Sequence, residues 1–313
     1  MKKRVVLAGL MMALSLTALA GCGQKNGGGA AGGTEIAAAG TETATGAETA
    51  AGTENAAGTE TAAGTETAAA SKTEGEYQFV SPADAVKAAK DKSAHVLDVR
   101  EWGNYVEGRV ADSLWCPIFP LDDDSLAEAM AAYAKDNLSD GQKIYIICNS
   151  GQKGAQKTTG VLKDAGIDAS LIYTVEGGAK ALASEKGALT TNRTDEQIDW
   201  KTVSAADALK AVGGSDVQIL DVRDDATYAE GHLEGSLQVG LKEIEDPKAQ
   251  SAMYKLATEE MDKSKPVYLL CYSGNKCAKT AISILKDAGY DVNELFIIEN
   301  GAKDKDIQAA FVK

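Results

Sequence analysis

Two short stretches hold the residues best suited to chemistry, Cys148-Asn-Ser-Gly-Gln-Lys153 and Cys271-Tyr-Ser-Gly-Asn-Lys276. Each opens on a cysteine, contains a Ser-Gly pair and closes on a lysine. Each follows an apolar run, Lys143-Ile-Tyr-Ile-Ile147 or Val267-Tyr-Leu-Leu270, and precedes a stretch with helical periodicity. In a short glycine-containing turn from a buried strand into a helix, successive backbone N–H groups and the helix N-terminus together favour an anion. The same field favours a thiolate, so Cys148 and Cys271 are the candidate nucleophiles. Asn149, Ser150, Gly151, Gln152 and Lys153, with their counterparts Tyr272, Ser273, Gly274, Asn275 and Lys276, are the candidate substrate-binding residues. A lone cysteine at a strand end is usually a small buried hydrophobe, but the form Cys-x-x-Gly-x-Lys in both places outweighs that reading.

The elements that must position these loops recur with a constant shift. Val80-Ser-Pro-Ala-Asp-Ala85 is echoed by Val203-Ser-Ala-Ala-Asp-Ala208, Leu97-Asp-Val-Arg100 by Leu220-Asp-Val-Arg223, and Leu162-Lys-Asp-Ala-Gly166 by Leu285-Lys-Asp-Ala-Gly289, each pair 123 positions apart. Cys148 and Cys271, Glu176 and Glu299, and Gly178 and Gly301 keep the same offset. A constant shift over that span means two copies of one domain, over residues 76–198 and 199–313, and not a short-period solenoid. Within a copy, Ser81 and Pro82 read as an N-cap and first-turn proline ahead of a helix over Ala83 to Lys90. His95 to Asp98 and Lys143 to Ile147 read as buried strands, and Ala155 to Ala165 as a helix that ends at Gly166. The alternation predicts the α/β class, each copy a parallel sheet with helices on both faces. Ligands of such sheets sit beyond the carboxyl ends of the strands, where both cysteines fall.

The two copies resemble rhodanese-family sulfurtransferase domains. The resemblance rests on Leu97 to Arg100 and Leu220 to Arg223, on Glu230-Gly-His-Leu-Glu-Gly-Ser236, on the cysteine loops and on Glu176-Gly-Gly178, and it covers essentially all of Glu76 to Lys313. It implies tandem rhodanese-like domains in which Cys148 and Cys271 carry sulfur. In that family a six-residue loop from cysteine to basic residue goes with sulfur transfer, and a loop one residue longer with phosphatase or arsenate chemistry. Both loops here are of the shorter kind. The implied reaction begins when a thiolate attacks the outer sulfur of a donor such as thiosulfate, from which sulfite leaves, or of a persulfide donor, from which a thiol leaves. The loop amides hold the resulting persulfide until an acceptor of thiol or cyanide type attacks it. An ionised cysteine needs no general base, and the two histidines, His95 and His232, have no counterparts in the other copy. No cofactor and no metal is called for. Two other readings stand beside this one, a non-catalytic module that binds and delivers sulfur or anions, and a thiol-disulfide redox protein using Cys271 and Cys277.

Departures from the family pattern fall at identifiable places. Arg109 stands where copy two has His232, and Asn104 and Thr227 precede Tyr105 and Tyr228 where the family often has an acidic residue. Arg100 and Arg223 are therefore expected to lack an internal ion partner and, with Asp98 and Asp221, to serve structure. Asn300-Gly301 replaces Gly177-Gly178, a small change in a turn. Cys116 maps onto Val239 and reads as core packing. Cys277 maps onto Gly154, so it belongs to copy two alone, either facing the helix interior or acting as a resolving thiol for Cys271.

The N-terminus sets the expected location. Lys2, Lys3 and Arg4 precede an apolar run from Val5 to Leu19, the pattern of a secretory signal peptide over residues 1–21. Leu19-Ala20-Gly21-Cys22 resembles a bacterial lipoprotein cleavage box, which implies lipid on Cys22 and anchoring to the cell membrane on its extracytoplasmic side. From residue 22 to 75 the chain is nearly all Gly, Ala, Thr and Glu, with a six-residue unit starting at Gly52, Gly58 and Gly64. Such a segment buries too little apolar surface to offset its ordering entropy, so a disordered tether is expected, with a reach of roughly 40 Å. The net charge is −14, and about −12 of it lies beyond the tether. That acidity argues against nucleic acid and against a basic membrane-docking face, and leaves a small anionic substrate open because local charge at a site can oppose the global sign.

Overall fold

The computed structural model describes Thr73–Glu74 and Tyr77–Lys313. The signal peptide, Cys22 and most of the segment read as a tether lie outside the described residues. A two-residue strand at the end of that segment, β1 (Thr73–Glu74), pairs antiparallel with β2 (Tyr77–Val80). The first copy continues with α1 (Pro82–Asp91), β3 (His95–Asp98), α2 (Trp102–Val106), β4 (Leu114–Trp115), α3 (Asp124–Asn137), β5 (Ile144–Ile147), α4 (Lys153–Asp164), β6 (Ile172–Val175) and α5 (Gly178–Leu182). The second has β7 (Lys201–Val203), α6 (Ala205–Ala211), β8 (Gln218–Asp221), α7 (Asp225–Glu230), β9 (Leu237–Gln238), α8 (Pro247–Glu259), β10 (Val267–Leu270), α9 (Lys276–Asp287), β11 (Leu295–Ile298) and α10 (Lys305–Ala309).

Local chemistry explains the boundaries. Ser81 accepts from the Asp84 N–H and Ser204 from the Asp207 N–H, and Pro82 fits the first turn, where no N–H is needed. Asp123 and Asp246 cap α3 and α8 in the same way. Gly166 and Gly289 follow α4 and α9 with φ of +95° and +88°, as a left-handed helix stop requires.

The first sheet has the order β1-β2-β6-β5-β3-β4 and the second β7-β11-β10-β8-β9, and every pair except β1 with β2 is parallel. The expected tandem parallel sheets are thus present. Alternate strand residues face opposite layers. Leu97 and Ile146 pack with Met130 of α3 and Leu162 of α4, whereas Val96 and Ile147 pack with Ala85 of α1 and Leu182 of α5. In the second copy Leu220 and Leu269 pack with Met253 and Leu285, and Ile219 and Leu270 with Ala208 and Ile307.

The two copies also pack on each other. Trp102 of α2 stacks on Tyr254 of α8 with ring centroids 4.0 Å apart, and its indole N–H donates to Ser251 Oγ at 3.1 Å. Beside them the segment that connects the copies inserts two charged side chains, Arg193 and Glu196, into the interior. Arg193 donates to Gln250 at 2.7 Å and to Asp287 at 2.6 Å, and Glu196 pairs with Arg109 and with Lys286.

Candidate active site

β5 and β10 are central strands, paired on both sides, so the residue at each carboxyl end is ringed by the loops of its neighbours. Cys148 and Cys271 occupy those places and are 2 % and 1 % exposed. Beyond each cysteine the chain turns at Gly151 or Gly274, with φ of +68° and +65°, and enters α4 or α9 at Lys153 or Lys276. Asn149, Ser150, Gln152 and Lys153 are exposed around the first thiol, and Ser273, Asn275 and Lys276 around the second. Each cysteine is thus the floor of a small polar loop.

The turn after β6 or β11 closes on that loop from the other side. The Ala179 N–H donates to the Cys148 carbonyl and the Ala302 N–H to the Cys271 carbonyl, both at 2.8 Å. A Cβ on Gly178 would stand 2.2 Å from the Cys148 carbonyl oxygen and 2.6 Å from the Gly151 nitrogen; on Gly301 the same contacts would be 2.2 Å and 2.7 Å. Only glycine fits there, since φ is also positive at both. At the neighbouring position Asn300 keeps the left-handed conformation of Gly177, which asparagine tolerates. In copy two the Asn275 N–H donates to Cys271 Sγ at 3.3 Å, so a backbone amide is aimed at the sulfur.

The expectation that Arg100 and Arg223 lack an ion partner is wrong. Arg100 grips Asp98 through Nε at 2.9 Å and Nη2 at 2.7 Å, and Arg223 holds Asp221 through Nε at 2.9 Å. The acid two residues earlier in the same motif serves as partner, and the guanidinium also ties down the Gly108 or Gly231 carbonyl. These groups brace the loop beside the cysteine, as the structural reading of all four residues holds. His95 pairs with Asp140 at 3.0 Å, and His232 stacks on Tyr228. Cys116 is buried in the core of copy one, and burial pushes its thiol up to about 12. A crevice of about 380 Å³ lies at the opposite end of the first sheet, lined by His95, Asp112, Gln197 and Lys286 among others.

Asp224, Lys242 and Phe119, three residues near the loops, escaped the sequence reading. The Tyr272 hydroxyl donates to the Asp224 carboxylate and accepts from the Asp224 N–H at 2.8 Å, which ties this loop residue to the start of α7. Lys242 reaches Asp224 at 3.3 Å. The Tyr272 hydroxyl, then the Thr227 N–H, hold the Asp224 carboxyl well below the usual range. The third is Phe119, whose ring lies against Gly154: a Cβ there would be 2.5 Å from the ring and 3.0 Å from the Cys148 Cβ. Phe119 and Lys242 are 123 positions apart, so comparing the copies wherever they disagree would have found both.

The model of the rhodanese-like domain matches residues 81–185 and 204–304. The thiosulfate sulfurtransferase GlpE of Coxiella burnetii is 27 % identical over 96 residues, which cover 31 % of this chain and 80 % of that protein. The solved thiosulfate sulfurtransferase from Pseudomonas aeruginosa is 16 % identical and covers 71 % of this chain and 41 % of its own, with a TM-score of 0.34. For the 3-mercaptopyruvate sulfotransferase SseA from Escherichia coli the identity is 17 %, the coverage 71 % and 98 %, and the TM-score 0.29. With both copies of the repeat matched, cysteine loops included, the chain belongs to the rhodanese-like domain family.

Proposed function

We propose that this chain is a sulfurtransferase that moves sulfane sulfur from a small donor such as thiosulfate to a thiophilic acceptor through persulfides on Cys148 and Cys271. The observation that carries the reading is the Asn275 N–H aimed at Cys271 Sγ from a glycine turn at the end of a central strand. That amide supports negative charge on sulfur, first as thiolate and then as persulfide. The thiolate attacks the outer sulfur of thiosulfate, the S–S bond breaks and its electron pair leaves with sulfite. A thiol or cyanide acceptor then takes the outer sulfur and restores the thiolate. Lys153 and Lys276, exposed at the loop ends, attract the anionic donor against an acidic background. If Cys22 bears lipid, the reaction takes place at a membrane surface outside the cytoplasm.

The test is single-turnover sulfite release from the reduced chain on addition of thiosulfate. Each copy should release one equivalent, Cys148→Ala and Cys271→Ala should each abolish only their own share, and the double variant should release none. Tight binding of thiosulfate without sulfite release would make the chain a binding and delivery module instead.

A further inference from the structure

Cys277 is a buried thiol with no part in the transfer reaction as copy one performs it, because copy one has Gly154 in its place. Its surroundings are not those of an ordinary core cysteine. The Cβ built on Gly154 falls 3.0 Å from the Cys148 Cβ, and Cys277 fills that position of the repeat beside Cys271. Disulfide Cβ atoms stand about 3.8 Å apart, so the copy-one spacing marks this as a position in side-chain contact with the nucleophile. Both thiols are free and share one core cluster, at 1 % and 9 % exposure. The residue that crowds this position in copy one is not repeated either: Phe119 lies against Gly154, whereas the equivalent residue of copy two, 123 positions on, is Lys242, whose ammonium reaches Asp224.

We propose that Cys277 is a second catalytic thiol, which attacks Sγ of the Cys271 persulfide, closes a Cys271–Cys277 disulfide and expels the outer sulfur as hydrosulfide. Copy two thereby reduces sulfane sulfur to sulfide, while copy one holds it for an acceptor. This rests on the sulfur-transfer reading above. The step balances without an oxidant: the S–S bond to the outer sulfur breaks, a new S–S bond forms between the cysteines, and the Cys277 proton moves to the departing sulfur. Burial first, and then the nearby Cys271 charge, push the Cys277 thiol up to about 11, which keeps that proton on Cys277 until the transfer. The outer sulfur is reduced and the two cysteine sulfurs are oxidised. Turnover then requires an external dithiol, a small one such as dithiothreitol or a protein dithiol, to reopen the disulfide by exchange.

The full-length chain is reduced, freed of reductant and given thiosulfate with no acceptor. Sulfite should appear from both copies, and free sulfide in an amount matching copy two. By peptide mass, the segment with Cys271 and Cys277 should lack two hydrogens relative to its reduced form, while the Cys148 segment gains one sulfur atom. Cys277→Ser should still release sulfite but yield no sulfide and retain sulfur on Cys271. Sulfite from both copies with sulfur stably held on Cys271 of the unaltered chain overturns this inference alone. No sulfite from either copy overturns the transfer reading and this inference with it. A thiol oxidant supplies an independent check of the geometry: it should join Cys271 to Cys277 and leave Cys148 free, and failure to do so also overturns the proposal.

Discussion

Arg109 and Glu196 form an ion pair in which each side chain is 1 % exposed, between the first copy and the segment that leads to the second. Glu196 also accepts from Ser283 Oγ at 2.7 Å and from Lys286 Nζ at 2.9 Å, both on α9. One carboxylate therefore ties copy one to the helix that begins at the copy-two cysteine loop. Arg109 stands where copy two has His232, so this departure from the repeat belongs to the joint between copies and not to the active site.

Replacing Arg109 by Leu removes one partner of a buried pair and leaves Glu196 with less compensation. Breaking such pairs costs about 3–5 kcal/mol, and because Lys286 remains, the lower end is expected here. Urea unfolding of the variant against the unaltered chain reads the loss. An unchanged unfolding free energy would mean that the pair contributes nothing net.

Stability should depend on pH through Glu196. Burial opposes its charge, but Arg109, then Lys286 and Arg193, more than offset burial and lower its carboxyl from 4.5 to about 2. A carboxylate with a depressed folded value stabilises the fold above its unfolded value, and that contribution is lost as pH falls through the folded one. Between about pH 4.5 and pH 2 the chain should lose roughly 3 kcal/mol from this group. Glu196→Gln should be less stable at neutral pH and lose less on acidification. Parallel unfolding curves for the two chains across that range would refute the assignment.

Gly178→Ala and Gly301→Ala each force a Cβ to within 2.2 Å of the carbonyl that follows the neighbouring sulfur-bearing strand. The loop must shift, so sulfite release from the affected copy should drop at least tenfold while the other copy serves as control. Equal activity in both copies of either variant would show that loop and turn move independently.

Lys276→Ala, made in a Cys148→Ala chain so that only copy two reports, should lower thiosulfate kcat/KM by a few-fold. The lysine is exposed, and screening limits what an exposed charge contributes. An uncharged persulfide donor should be affected less. Equal losses with both donors would mean that the lysine shapes the loop.

The sequence by itself determined the repeat, the sheet class and the cysteine loops, since all three rest on local signals. Apolar runs mark strands because a buried strand must be apolar on both faces, and His95 to Asp98 and Val267 to Leu270 stand as read. A cap such as Ser81 and a stop such as Gly166 act within one helical turn, so α1 and α4 were readable to within two residues at each end. Only the tertiary structure decided which charges are paired and which side chains crowd the cysteines. Asp98 and Arg100 are near in sequence, yet only the bend after β3 turns one guanidinium onto that carboxylate. Arg109, Glu196 and Lys286 span much of the chain, and no local pattern encodes a contact made when two copies dock. Phe119 and Lys242 acquire their importance in the same way, because the space over each cysteine is bounded by a loop distant from it in sequence, and what fills that space depends on how the chain packs.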